Sequence, residues 1–210
     1  MTHIPAGVTV AVLDVSANTA EVVEAIKKAG AIAFATTDPR EAAAADGMVL
    51  PGAESFALQM EALGEVQGAR VVGQRLAGAR PVLAIGTGMQ VLFEQLLDDA
   101  SGVAGLGEWP GGVDKLDAPC ETATVEPARG TELLRGVDGP LSFGNAYGVR
   151  GFALEEDEFI AYPRLSWAQC GDNRFIAAVE NGALWATQFH PERSGEAGMD
   201  VLRNWLAQLG

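Results

Sequence analysis

Four short apolar runs, separated by stretches of helical pattern, occupy the first 95 residues and constrain the fold more than any other feature. Residues 8–13 are almost continuously apolar, as a strand covered on both faces requires. A polar turn at Ser16-Ala17-Asn18 leads into residues 19–29, where Val22, Ala25, Ile26 and Ala29 share one helical face and Gly30 supplies a stop. Residues 31–35 and 47–50 predict a second and third strand, 56–63 and 67–77 two helices, and 81–85 a fourth strand. That strand ends at Gly86-Thr87-Gly88, and the apolar stretch 89–97 predicts another helix. This alternation builds a parallel sheet with helices on both faces.

Beyond residue 100 glycine and proline become frequent, and residues 141–149, 166–170 and 175–180 predict strands. Asn181-Gly182, between 175–180 and 183–189, is a two-residue hairpin signal. Ser194 is placed to cap a closing helix over 196–209. The whole predicts one α/β domain spanning 1–210: a central, mostly parallel mixed sheet, helices on both faces and a β-hairpin layer in the C-terminal half. A length of 210 residues suits one such domain and is too short for two ordinary ones.

Composition narrows the partners. Fourteen basic against 28 acidic residues give a formal charge of −14, which removes the basic footprint of a nucleic-acid binder. No apolar run reaches the roughly 20 residues of a membrane helix, and no basic segment leads into an apolar one at the start, so no secretory signal is read. Cys120 and Cys170 make neither a disulfide framework nor a zinc cluster and are expected as small buried residues in a reducing cytoplasm. No cofactor or metal is implied.

Three segments fall at predicted C-terminal strand ends, where open α/β sheets carry their sites. They are Pro51-Gly52-Ala53-Glu54-Ser55-Phe56, Ala84-Ile85-Gly86-Thr87-Gly88-Met89-Gln90, and Gln188-Phe189-His190-Pro191-Glu192-Arg193-Ser194-Gly195. In an extended segment, His190 and Glu192 lie on one side, so the carboxylate can orient the imidazole. The same pair also serves as a plain hydrogen-bonded histidine at a strand end, and spacing alone leaves both readings open.

Together these segments resemble the class I glutamine amidotransferases, which are flavodoxin-like, and within them the glutaminase subunits of imidazole glycerol phosphate synthase from histidine biosynthesis. The resemblance covers nearly the whole chain. Its most specific stretches are Pro81-Val82-Leu83 with Gly88-Met89-Gln90-Val91-Leu92-Phe93, then Gly107-Glu108-Trp109-Pro110-Gly111, then Ala186-Thr187-Gln188-Phe189-His190-Pro191-Glu192-Arg193-Ser194-Gly195-Glu196-Ala197-Gly198. It implies a Cys-His-Glu triad that releases ammonia from glutamine and passes it to a cyclase partner.

The chain departs from that pattern at the reacting atom. The family's G-x-C-x-G nucleophile elbow reads Ala84-Ile85-Gly86-Thr87-Gly88, so Gly86 stands where the cysteine is expected, with His190 and Glu192 as retained triad partners. Thr87 is one position off and is a weaker nucleophile; Cys120 and Cys170 lie outside any matching motif. The oxyanion segment P-G-V-G-x-F reads Pro51-Gly52-Ala53-Glu54-Ser55-Phe56, placing Glu54 where the second glycine belongs. Its carboxylate adds negative charge where negative charge would develop, or points away as an exposed loop group. The family's Y-G-x-G-N is Val15-Ser16-Ala17-Asn18-Thr19, V-H-S-Y is Gly144-Asn145-Ala146-Tyr147, and H-M-G-W-N has no counterpart between residues 116 and 125. That last segment lies where the resemblance puts the cyclase contact.

What survives is Gly52, Gly88, Gln90, His190 and Glu192 around an altered Ala53, Glu54 and Thr87. The expected function is a glutaminase-subunit homologue that does not hydrolyse glutamine and binds the cyclase. The competing expectation is a binding or regulatory pseudoenzyme that keeps a pocket for glutamine or another small amino acid and has no part in histidine biosynthesis. Catalysis by another nucleophile, or a different reaction in the same pocket, is a third reading. Nucleotide binding at Gly86-Thr87-Gly88 lacks both a G-x-G-x-x-G and a Walker lysine.

Overall fold

Alternate residues of the early strands face opposite cores, and this period-two split is what makes a three-layer structure. In the computed structural model, which describes residues 3–98, 102–152 and 162–209, Val10 and Val12 pack on one face while Ala11 and Leu13 pack on the other. The elements run β1 (Thr9–Leu13), α1 (Thr19–Ala29), β2 (Ile32–Thr36), α2 (Pro39–Ala44), β3 (Gly47–Leu50), α3 (Phe56–Glu65), α4 (Gly68–Ala77), β4 (Val82–Ile85) and α5 (Thr87–Gln90). They continue through β5 (Gln95–Leu96), β6 (Gly112–Ala123), β7 (Val125–Glu126), β8 (Leu141–Gly148), β9 (Arg164–Cys170), β10 (Asn173–Asn181), β11 (Leu184–Thr187), a 3-10 turn (Pro191–Arg193) and α6 (Gly195–Leu206).

The main sheet has eight strands in the order β2-β1-β3-β4-β11-β10-β9-β7. Pairings from β2 to β11 are parallel, and those from β11 to β7 are antiparallel. Helices α1 and α6 cover one face, their Val22, Ile26, Val201, Leu202 and Trp205 meeting Val10, Val49 and Leu83. Helices α3 and α4 cover the other through Phe56, Leu63, Val71 and Val72. A second sheet, β5-β6-β8, lays Leu116, Leu141 and Phe143 over Phe175 and Ala177 of β10. The α/β class and the mixed sheet of the sequence analysis are therefore present; the expected hairpin, β10–β11, is part of the main sheet and not a separate layer, and the extra layer is β5-β6-β8.

Several local expectations are corrected. The helix over 89–97 stops at Gln90, because residues 105–109 capture the carbonyls it would need. Leu106 donates to Val91 O (2.7 Å), Gly105 to Glu94 O (2.7 Å) and Trp109 to Leu92 O (3.1 Å). Phe93 then joins Trp109 and Phe152 in an aromatic cluster with centroids 5.4–5.7 Å apart. The β10–β11 hairpin exists, but Asn181 pairs with Leu184, so its two turn residues are Gly182 and Ala183. Ser194 holds the N-cap position of α6 without capping it; its hydroxyl donates to His190 O (2.7 Å) and accepts from Ser142 N (2.9 Å).

Cys120 and Cys170 are not separate buried thiols. They form a disulfide between β6 of the small sheet and β9 of the main sheet, 50 residues apart in sequence, with Cα atoms 5.8 Å apart. The packing of β6 over β9 and β10 brings them together, which no local spacing reveals.

Buried Arg75 of α4 ties the other end of the sheet. It donates to the carbonyls of Ala42, Ala45, Asp46 and Pro81 at 2.9–3.0 Å, and burial pushes its pKa down to about 10. Among the described residues no helix is long and apolar enough to cross a membrane.

Reducing the disulfide removes a loop constraint worth about 2–4 kcal/mol, so thermal unfolding in dithiothreitol is expected to fall by roughly 5–15 °C. Unchanged unfolding, with two titratable thiols in the untreated protein, would contradict the link. Arg75→Ala strands several buried carbonyls and is expected to cost about 3 kcal/mol or more in urea unfolding. A loss below about 1 kcal/mol would mean the clamp is dispensable.

Candidate functional site

Parallel pairing of β4 with β11 sets Ile85 beside Thr187, so the chain leaves both strands at the same edge. Gly86 N donates to Thr187 O at 2.8 Å and holds the next residue of one strand against the end of the other. Gly86 then turns sharply, with φ 59° and ψ −121°, into the short α5. That backbone favours glycine, and it is the strand-to-helix elbow that the resemblance predicts.

Beyond β11 the chain crosses to the small sheet. Phe189 is buried edge-on to Phe143 (5.7 Å), Thr187 Oγ1 donates to Phe189 O (2.9 Å), and His190 N donates to Ser142 O of β8 (2.7 Å). These contacts aim the His190 ring over the elbow. A Cβ built on Gly86 would meet His190 Cε1 at 2.8 Å and Nε2 at 2.9 Å. Nδ1 faces Glu192 Oε1 at 2.8 Å, with the ring 17% exposed and the Glu192 side chain 1%. Opposite an ionised carboxylate, which can only accept, Nδ1 is the donor of this contact. His190 and Glu192 are thus brought together, though by a 3-10 turn over Pro191–Arg193 and not by the extended segment the spacing argument assumed, and Gly86 lies beneath the imidazole.

Gly86 and His190 border a cavity of about 630 Å³, with Glu192 behind the ring and off its wall. Ala53, Glu54, Thr87 and Gln90 also line it; Glu54 is exposed and stands on its wall. Gln90 Nε2 donates to Gln188 Oε1 (3.2 Å) and Tyr147 O (3.3 Å), joining the main sheet to β8. Gly52 and Gly88 do not line the cavity and act by close approach. A Cβ on Gly52 would stand 2.7 Å from Thr87 N, and one on Gly88 would stand 2.5 Å from Leu50 O. The loop from Pro51 therefore lies flat against the elbow.

The structure adds residues that sequence reasoning missed. Gln59 of α3 is fully buried and accepts the Ala53 N–H at 2.5 Å, turning that amide into the protein. At the mouth Arg193 donates to Asn18 Oδ1 (2.8 Å) and Glu21 Oε2 (2.9 Å). Gln188 was legible, since it directly precedes the Phe189-His190 segment. Asn18 lay in the segment set against Y-G-x-G-N, whereas Gln59 carries no local signal, because folding alone brings it to the site. Among the described residues no cluster of three or more His, Cys, Asp or Glu could hold a metal ion.

No protein-family model matches the chain. It is 45% identical over 207 residues to the imidazole glycerol phosphate synthase subunit HisH of Corynebacterium diphtheriae, covering 95% of this chain and 99% of that one. The HisH subunit of Nocardia farcinica is 45% identical over 208 residues, covering 96% and 98%. Among solved structures, a glutamine amidotransferase matches with a TM-score of 0.70 at 20% identity, covering 95% and 98% of the two chains. The glutaminase domain of Trypanosoma brucei CTPS, solved with bound acivicin, matches with a TM-score of 0.63 at 13% identity, covering 96% and 94%. The structural neighbours establish the class I glutamine amidotransferase fold. With that sequence identity over nearly the full length of both chains, this chain belongs to the HisH family of imidazole glycerol phosphate synthase subunits.

Proposed function

We propose that this chain is a HisH-type subunit that has lost glutamine hydrolysis and acts in histidine biosynthesis by binding a cyclase partner. Gly86 carries the reading: the elbow and the His190–Glu192 pair are in place, and the residue between them has no side chain with which to attack. No substitute is at hand. Thr87 Oγ1 makes no hydrogen bond to His190 among the described residues, and Cys120 and Cys170 are bonded to each other away from the cavity wall. The Ala53 N–H is engaged by Gln59, and Glu54 adds a carboxylate to the wall, both unfavourable to a developing oxyanion.

The cyclase is proposed because the HisH relatives are subunits of a synthase. The changed segment 116–125 falls in β6 and β7, where the resemblance puts the cyclase contact, and 144–147 falls in β8 on the cavity wall. We place the protein in the cytoplasm on the biosynthetic role of its HisH relatives and not on its cysteines, which the structure joins in a disulfide. A second reading, a regulatory module without a role in histidine biosynthesis, is favoured by the intact cavity and its Gln90 and Gln188 amides, which suit glutamine or another small amino acid.

Glutamate release from glutamine is expected to stay at the blank, with or without the cyclase and its nucleotide substrate, while the two proteins co-purify. Release abolished by His190→Gln would overturn the inactive reading; failure to co-purify would leave the regulatory one, which a thermal shift with millimolar glutamine then checks. Gly86→Ala adds a Cβ at positive φ against the imidazole and is expected to cost about 1–3 kcal/mol in urea unfolding. Gly86→Cys meets the same obstacle and recovers little or no glutamate release, and robust recovery would show the remaining pocket to be competent.

A further inference from the structure

We propose that the groove leading from the cavity at the elbow, over Glu54 and onto α3, binds a linear aliphatic polyamine. The inference goes beyond the reading above and holds whether or not glutamine is hydrolysed. A second cavity, of about 340 Å³, shares Asn18, Ala53 and Glu54 with the 630 Å³ one, so the two adjoin along that wall. Glu54, Glu61 and Glu65 are exposed around the second cavity, and none is held by a cation or a side-chain hydrogen bond among the described residues. No described basic side chain lines it. Arg193, the one guanidinium lining the first cavity, is committed to Asn18 and Glu21.

Three features of the free protein call for such a ligand. Glu61 and Glu65 stand four residues apart on α3, close enough to repel, and Glu65 ends a helix whose last turn carries no basic residue, against the helix dipole. Leu58, 48% exposed, and Ala62 line the same cavity beside these carboxylates and leave apolar surface in water. At the inner end, Asn145 lines the first cavity and is only 7% exposed. Its Nδ2 donates to Tyr147 O (2.6 Å), while its Oδ1 is buried with no partner and lacks a donor. A polyamine answers all three, with ammonium groups for the carboxylates, methylenes for Leu58 and Ala62, and an N–H for Asn145. A divalent metal ion answers one. Among the described residues no three His, Cys, Asp or Glu converge closely enough to hold such an ion, so the negative charge is spread along the groove as an extended cation requires.

Spermidine is the probe, titrated calorimetrically into the intact protein at fixed ionic strength, with magnesium chloride in parallel. One spermidine is expected to bind per chain, more tightly than magnesium. Glu61→Gln together with Glu65→Gln should weaken spermidine roughly 10-fold. Asp138→Asn together with Asp172→Asn, at exposed positions outside both cavities, removes the same charge and should leave the affinity unchanged. Asn145→Ala should weaken binding severalfold. Absence of binding, magnesium binding as tightly as spermidine, equal losses in the two acidic pairs, or unchanged affinity in a folded Asn145→Ala protein would each overturn the inference. If Asn145→Ala fails to fold by circular dichroism, the two acidic pairs, all at exposed positions, decide. Glutamate release from glutamine bears on the earlier reading independently of this titration.

Discussion

The register between β4 and β11 is the constraint on which the site depends. Setting Ile85 beside Thr187 brings Gly86 and His190 together although they are over one hundred residues apart in sequence. Everything further follows as packing: Phe189 against Phe143, His190 N on Ser142 O, and Gln90 bridging to Gln188 and Tyr147. A one-residue slip would turn every side chain of β11 to the opposite face and carry the imidazole away from the elbow.

This arrangement separates scaffold from chemistry. Elbow, cavity and His-Glu pair are properties of the sheet edge and persist without the nucleophile, because backbone pairing and buried aromatic contacts hold them. On the proposed reading, a glycine at the elbow costs the fold little and would cost a glutaminase reaction its attacking atom. The Gln59 bond to Ala53 N and the carboxylate of Glu54 on the cavity wall support the same proposal from a second wall.

Legibility in the sequence followed the range of the interactions. Strands β1, β3 and β4 were readable because both faces are buried and the apolar runs are nearly continuous; β2, at the sheet edge with Ile32 exposed, was readable from its apolar run alone. The helix expected over 89–97 failed because its carbonyls bond to residues 105–109, a pairing with no local mark. β6 escaped notice since Pro119 and its charged residues break the alternation, and its pairing with β8 shifts register twice. The Cys120–Cys170 link depends on how two sheets stack. At the site, Gly86, His190 and Glu192 were readable as motif positions. The close-approach roles of Gly52 and Gly88, and the contacts of Gln59, Asn18 and Arg193, arise only when distant elements meet.

The most direct test of a nucleophile-free pocket is intact-mass analysis after incubation with 6-diazo-5-oxo-L-norleucine, a glutamine analogue that alkylates an attacking residue. The account predicts an unchanged mass after prolonged exposure. A single adduct, prevented by excess glutamine and mapped to a residue lining the cavity, would contradict it.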